Sequence, residues 1–151
     1  MASNNVFIVE AIERRKKILN KVSKKITICG GTGCIANGAM KVYKKICDVL
    51  KEESLNVEVS LKSEKSSKES VIYVSKSGCQ GFCQMGPLLS IEPDNVVYVK
   101  VRPEDVEEIV EKTIKKNEII ERLLYVDPIK SQREKWYDEI NFYKKQQRLS
   151  L

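Results

Sequence analysis

The spacing of apolar residues changes several times along the chain, and each change marks an element. Val6, Val9, Ile12, Leu19 and Val22 recur around a basic middle, which predicts a helix over 6–22. "KITIC" (25–29) is a short β-branched strand that ends on a cysteine. From Cys34 onward Ile35, Ala39, Val42, Ile46, Val49 and Leu50 repeat at three and four residues, the mark of one buried helical face. After Gly38 no helix breaker occurs before Asn56. "NVEVSL" (56–61) alternates as a strand, "KSEKSSKES" (62–70) reads as a polar surface loop, and "VIYVSK" (71–76) as the next strand. "PLLSI" (87–91) and "VVYVKV" (96–101) flank "EPDN", whose proline followed by Asp and Asn favours a tight hairpin. Pro103 with Glu104 and Asp105 opens a helix, because proline suits its first position and acids suit its positive end. Val106, Ile109, Val110, Thr113 and Ile114 form its buried stripe, and residues 118–151 show no period of their own.

The order is therefore β-α-β, a loop, then β-β-β-α. A parallel β-α-β start, an antiparallel hairpin and a closing helix make a thioredoxin-like arrangement. The expected class is α/β (α+β), a mixed sheet of four to five strands flanked by helices. Its parts are an N-terminal helical extension (1–24), the thioredoxin-like unit (25–117) and a C-terminal extension (118–151).

Composition narrows the classes. The 151 residues suffice for one domain with extensions, and 42% hydrophobic with 32% charged residues is ordinary for a globular chain. The longest apolar runs are four or five residues, so no membrane insertion is expected. "VFIVEAIERRKK" places its charges after its apolar patch and does not read as a signal peptide. The net charge of +6 comes from lysines mixed with glutamates along helical segments. That pattern reads as a solvated surface able to steer an acidic partner, not as a nucleic-acid footprint. Five cysteines without a secretion signal point to a reducing, cytoplasmic compartment. The absence of histidine excludes imidazole bases, Ser-His-Asp and Cys-His catalysis, His-containing zinc sites and Rieske centres.

The chemistry lies in four cysteines. Cys29 closes the first strand and Cys34 opens the first helix; Cys79 and Cys83 follow the "VIYVSK" strand. In a thioredoxin-like layout the two loops lie side by side at one end of the sheet, so four thiols converge across 44 intervening residues. The helix N-terminus is expected to lower the Cys34 pKa. Gly30, Gly31 and Gly33, with Gly78, Gly81 and Gly86, are expected to adopt positive φ and bring N–H donors to sulfur. A thioredoxin-type dithiol requires Cys-x2-Cys, which neither pair has. Four-cysteine zinc normally uses x2 knuckles, although x4 occurs, so a structural zinc adaptor stays open. Two disulfides would leave Cys47 over and suit another compartment. A 2Fe-2S cluster wants two thiolate pairs in a glycine-rich shell, which Cys-x4-Cys with Cys-x3-Cys meets.

With "CGGTGCIANGAMKVY" and "SGCQGFCQMGPLLSI" as ligand loops, "VRPEDVEEIVEKTI" as closing helix and "IERLLYVDP" after it, residues 25–128 resemble the thioredoxin-like 2Fe-2S ferredoxins. That family includes free-standing ferredoxins, the small subunit of respiratory NADH dehydrogenase, and an N-terminal domain of flavoprotein subunits in NAD-linked hydrogenases. The resemblance implies Cys29, Cys34, Cys79 and Cys83 as ligands of a 2Fe-2S cluster, and one-electron transfer without a catalytic site of the chain's own. "INFYKKQQRLSL" resembles the lead-in to a flavin- and NADH-binding domain, and 28 residues before Cys29 leave little room for a helical bundle. The expectation is thus the N-terminal ferredoxin domain of a larger NAD(H)-linked flavoprotein oxidoreductase. Its partners would be a flavin/NADH domain, an iron-sulfur hydrogenase subunit and a small ferredoxin-like subunit. A homodimer is a further expectation, since such ferredoxins can dimerise.

Other residues carry plainer readings. Cys47, beside Met40, Tyr43 and Leu50 at helical spacing, is expected to be a small buried hydrophobe. Pro87 fits either a cis proline supporting the metal loop or a trans turn proline. Phe82 is expected to pack under its loop and shield the site. Trp136 and Tyr137 are either anchors for a further domain or surface residues of the extension.

Overall fold

The computed structural model describes residues 9–10, 12–13, 22–59 and 71–146. Most of the helix expected over 6–22 and the polar loop at 62–70 lie outside those residues; Val9, Glu10, Ile12 and Glu13 are helical. Val22, read from the sequence as the end of that helix, instead begins the first strand.

Strand β1 (Val22–Cys29) leads into a short helix α1 (Thr32–Ala36) and the longer α2 (Ala39–Glu52). Then come β2 (Val57–Glu58), β3 (Val71–Ser77), β4 (Leu89–Glu92) and β5 (Val96–Tyr98). They form one sheet in the order β2-β3-β1-β4-β5. β1 and β2 both run parallel to β3, β4 runs antiparallel to β1, and β5 antiparallel to β4. The expected parallel β-α-β unit followed by a hairpin is present. β1 is central because alternate residues Ile26 and Ile28 are at most 1% exposed and meet the helical layer.

Two expectations about the first helix are corrected. The helix expected to run on from Cys34 breaks at Gly38, which adopts φ of +94°, so α1 and α2 are separate. Glycine has no Cβ to oppose that conformation. Ile35, placed on the buried face by its spacing, is 46% exposed because the break turns α1 away from the α2 stripe. In α2 itself Ala39, Val42, Ile46, Cys47, Val49 and Leu50 are buried, as the period requires.

Other boundaries also moved. Of the strand expected over 56–61, Val57–Glu58 pairs in the sheet, and residues 60–61 lie outside the described residues. A 3-10 turn (Pro103–Asp105) precedes helix α3, which begins as Val106–Glu108 and widens to π geometry over Ile109–Lys115. Asp105 Oδ2 accepts the Arg102 N–H at 2.8 Å, and the predicted stripe from Val106 to Ile114 is buried.

The described part of the C-terminal extension, residues 118–146, is packed on the sheet. Strands β6 (Tyr125–Val126) and β7 (Arg133–Glu134) pair antiparallel, and a short helix α4 (Asn141–Lys144) follows. Tyr98 bridges to Leu124, Val99 N–H donates to the Leu123 carbonyl at 2.8 Å, and Val97 N–H donates to the Lys135 carbonyl at 2.8 Å. The extension thereby occupies the free edge of β5, which would otherwise leave a row of unpaired backbone groups. Ile140 is fully buried and Tyr143 is 8% exposed, so the segment has a packed side despite its lack of period. Among the described residues no helix is long and apolar enough to cross a membrane.

Candidate metal centre

β1 and β3 are parallel neighbours, so both strands finish at the same end of the sheet. Their register pairs Cys29 with Ser77, and Gly30 N–H donates to the Ser77 carbonyl at 3.0 Å. That pairing delivers the two cysteine loops to one place.

The loops touch through their glycines. A Cβ on Gly31 would lie 3.0 Å from the Cys79 Cβ and Sγ, and one on Gly33 would lie 3.2 Å from the Cys83 Cβ. A Cβ on Gly86 would lie 2.5 Å from the Cys34 Sγ. These glycines serve close approach, not unusual torsions: of the six loop glycines only Gly81 has positive φ, at +82°. The expectation of positive φ at the other five is corrected accordingly.

All four expected ligands are in this neighbourhood, two buried and two exposed. Cys29 and Cys34 are each 1% exposed and hydrogen-bond to each other, while Cys29 Sγ also donates to the Gly78 carbonyl at 3.7 Å. Cys79 and Cys83 are exposed, with their sulfurs 3.8 Å apart. Gly81 N–H reaches the Cys79 Sγ at 3.4 Å, the kind of donor that stabilises charge on sulfur. The thiols stand two by two, and among the described residues no three cysteine or carboxylate side chains are arranged around one metal centre.

Burial overrides the helix terminus at Cys34. Desolvation, then the Cys29 hydrogen bond and charge, push its thiol up to about 11. The expected lowering fails because α1 is only five residues long and Cys34 sits inside the core. Cys83 is also raised, chiefly by its hydrogen bond with Cys79. A Cys34 thiolate at neutral pH therefore needs a positively charged partner on the sulfur, which a metal supplies. The donor set fits a 2Fe-2S cluster: four thiols in two pairs, with bare backbone between them where a single Cβ would intrude.

The secondary expectations divide. Cys47 is buried in α2, away from the loops, and its thiol is raised by that burial. The Gly86–Pro87 peptide is cis. Phe82 is half-buried under its loop, stacked on Phe142 at 5.0 Å between ring centroids and edge-on to Tyr125 and Tyr143. Tyr137 packs edge-on against Trp136 and Tyr143, and its hydroxyl donates to Gln80 Oε1 at 2.8 Å. Gln80 and Tyr143 were not singled out from sequence. The aromatic density of Trp136, Tyr137, Phe142 and Tyr143 was the signal that could have found this contact.

Residues 17–114 match the family model of the thioredoxin-like [2Fe-2S] ferredoxin. A 2Fe-2S ferredoxin of Clostridium pasteurianum is 32% identical over 100 residues, 65% of this chain and 91% of that protein. One from Aquifex aeolicus is 49% identical over 51 residues, 34% of this chain; the match spans 46% of that protein's length. The solved structure of the thioredoxin-like [2Fe-2S] ferredoxin from Aquifex aeolicus superposes with a TM-score of 0.50 at 29% identity, over 66% of this chain and 87% of that one. A cysteine-to-serine variant of the same protein superposes with a TM-score of 0.51 at 27% identity, over 66% and 95%. With two glycine-separated thiol pairs at the matched end of the sheet, the chain belongs to the thioredoxin-like [2Fe-2S] ferredoxin family.

Proposed function

We propose that this chain carries single electrons through a 2Fe-2S cluster held by Cys29, Cys34, Cys79 and Cys83. The observation that supports it most is the meeting of the two pairs across Gly31 and Gly33, in a chain of this family. The cluster would supply one-electron storage, at a potential of about −400 mV as in plant-type ferredoxins. The chain's own residues divide the remaining work. Cys29 and Cys34 hold the buried side and exclude water, while the exposed Cys79 and Cys83 face the surface where an electron partner would approach.

The test is anaerobic purification with iron and sulfide counts, a visible spectrum, and EPR after dithionite reduction. Two irons and two sulfides per chain with an S = 1/2 signal are expected. Serine at any of the four ligands should disturb the spectrum, while Cys47→Ser should leave it unchanged. A colourless chain that keeps one zinc after cluster reconstitution would leave a structural adaptor instead.

Within this reading the setting has two forms. The resemblance of residues 118–151 to a flavoprotein lead-in supports a ferredoxin domain of an NAD(H)-linked hydrogenase or NADH dehydrogenase subunit. Its partners would then be flavin/NADH and iron-sulfur subunits. A free-standing ferredoxin is supported at least as well, by the 91% coverage of the Clostridium pasteurianum ferredoxin. Native mass after purification from the source cell separates them: co-elution with flavin and NADH-dependent dye reduction would fix the first, and an isolated monomer or dimer the second.

A further inference from the structure

The second cysteine loop has little of its own to hold it. Residues Gly78 to Phe82 form no regular element, Cys79 and Cys83 are exposed, and nothing lies within 4 Å of where a Cβ on Gly78 would be. Besides the first cysteine loop and Ser77, the C-terminal extension holds this loop, through contacts that converge on Gln80.

Gln80 is bonded at three points. Its Nε2 donates to Ser77 Oγ at 3.1 Å, and Ser77 Oγ in turn donates to the Gly78 carbonyl at 2.9 Å. Its Oε1 accepts the Tyr137 hydroxyl at 2.8 Å, and its main-chain carbonyl accepts the Tyr143 hydroxyl at 3.1 Å. Phe142 adds a platform, stacked on Phe82 and 3.7 Å from the Cβ position of Gly81. These residues are themselves anchored: Ile140 is fully buried, and Asn141 donates to Asp127 Oδ2 at 2.6 Å. All of them lie beyond residue 114, where the family match ends.

We propose that Tyr137 and Tyr143 are positioning residues that hold the Cys79–Cys83 loop through Gln80, so that the extension governs the exposed half of the metal centre. The effect on the loop stands independently of what the cysteines bind; the effect on a cluster rests on the function proposed above. The extension is thus part of the site's supporting structure, in addition to closing the edge of β5. Support from outside a ligand loop fixes ligand orientation, and its removal loosens the site even when the ligands remain.

The test uses the full-length chain as isolated, with Tyr137→Phe, Tyr143→Phe and the double variant. Each substitution keeps the ring and removes only the hydroxyl. Hydrogen exchange of residues 78–84 should accelerate about fivefold per lost bond, multiplying in the double variant, while α2 and β4 keep their protection. In chains carrying two irons and two sulfides, the same variants should bleach faster with a chelator and shift the EPR g values. Unchanged loop exchange in the double variant overturns the proposal. So does an equal rise across the whole chain, which would mark a general loss of stability. Faster loop exchange in a chain that never takes up iron and sulfide would sustain the positioning role and sink the electron-transfer function.

Discussion

Gly86 and Gly78 lie in loops at the same end of the sheet, yet their surroundings demand opposite tolerances. A methyl on Gly86 would stand 2.5 Å from the Cys34 Sγ, 3.3 Å from the Cys83 carbonyl oxygen and 3.4 Å from the Cys34 Cα. Cys34 is 1% exposed, so its sulfur has little free space to move into. Gly86→Ala should therefore cost about 1–3 kcal/mol, the usual range for overpacking, and, on the function proposed above, lower the iron content by displacing Cys34. Gly78→Ala meets nothing within 4 Å and should leave both stability and iron content near wild type. Thermal unfolding and iron assay on the two variants check this, and equal losses at both positions would remove the steric account. The four cysteines proposed as ligands could be singled out from the sequence because their spacing is local and their chemistry narrow. Gln80 was not, because its role depends on hydroxyls that arrive from 57 and 63 positions later in the chain.

At the level of elements, apolar period was a sound guide wherever an element buries one whole face. β1, β3, the hairpin, α2 and the stripe of α3 were legible for that reason. The failures share a different cause: local geometry interrupted a continuing pattern. Asn37–Gly38 breaks the helix while Ile35 still fits its period, and Val22 fits a helical spacing although it pairs with Val71 in the sheet. Thr113 shows a role that pattern could only half assign. It was read as part of the α3 stripe and is 1% exposed, but its hydroxyl donates to the Glu118 carbonyl at 2.9 Å. With that proton committed, Thr113 Oγ1 accepts the Tyr98 hydroxyl at 2.7 Å, and Tyr98 in turn accepts the Ile120 N–H at 3.0 Å. This chain of bonds fastens the end of α3 and the start of the extension to the last sheet strand. Thr113→Val keeps the shape while leaving the buried Tyr98 hydroxyl proton without its acceptor and the Glu118 carbonyl without its donor, which should cost about 1–3 kcal/mol. Denaturant unfolding measures it; a loss below about 0.5 kcal/mol would mean that neither group is desolvated enough for the bond to matter.

For the whole molecule, the extension is the part least visible from sequence and most changed by structure. Its buried apolar residues among those described, Ile120, Leu123, Leu124, Ile140 and Tyr143, follow no helix or strand period because they answer to the contour of a sheet edge already built. Asp127 is the pin that makes the segment one piece. Its Oδ1 accepts the Ile129 N–H at 2.8 Å and the Lys130 N–H at 3.1 Å, and its Oδ2 accepts the Asn141 amide at 2.6 Å. Those backbone donors, the largest influence, hold its carboxyl below the ordinary carboxylate range. A carboxyl lowered on folding stabilises the folded state above its unfolded pKa, and that contribution is lost as pH falls through the folded pKa. Asp127→Ala should accordingly lower Tm at pH 7, and the gap from wild type should narrow as pH drops below about 4, where the unfolded carboxyl begins to protonate. Melting curves from pH 7 down to pH 3 check the sign, since a gap that widened on acidification would contradict the hydrogen-bond account. The same substitution releases Asn141 beside Phe142 and Tyr143, so loop residues 78–84 should exchange faster at pH 7 although Asp127 touches neither cysteine loop. If they did not, the extension would be joined to the metal end by proximity alone.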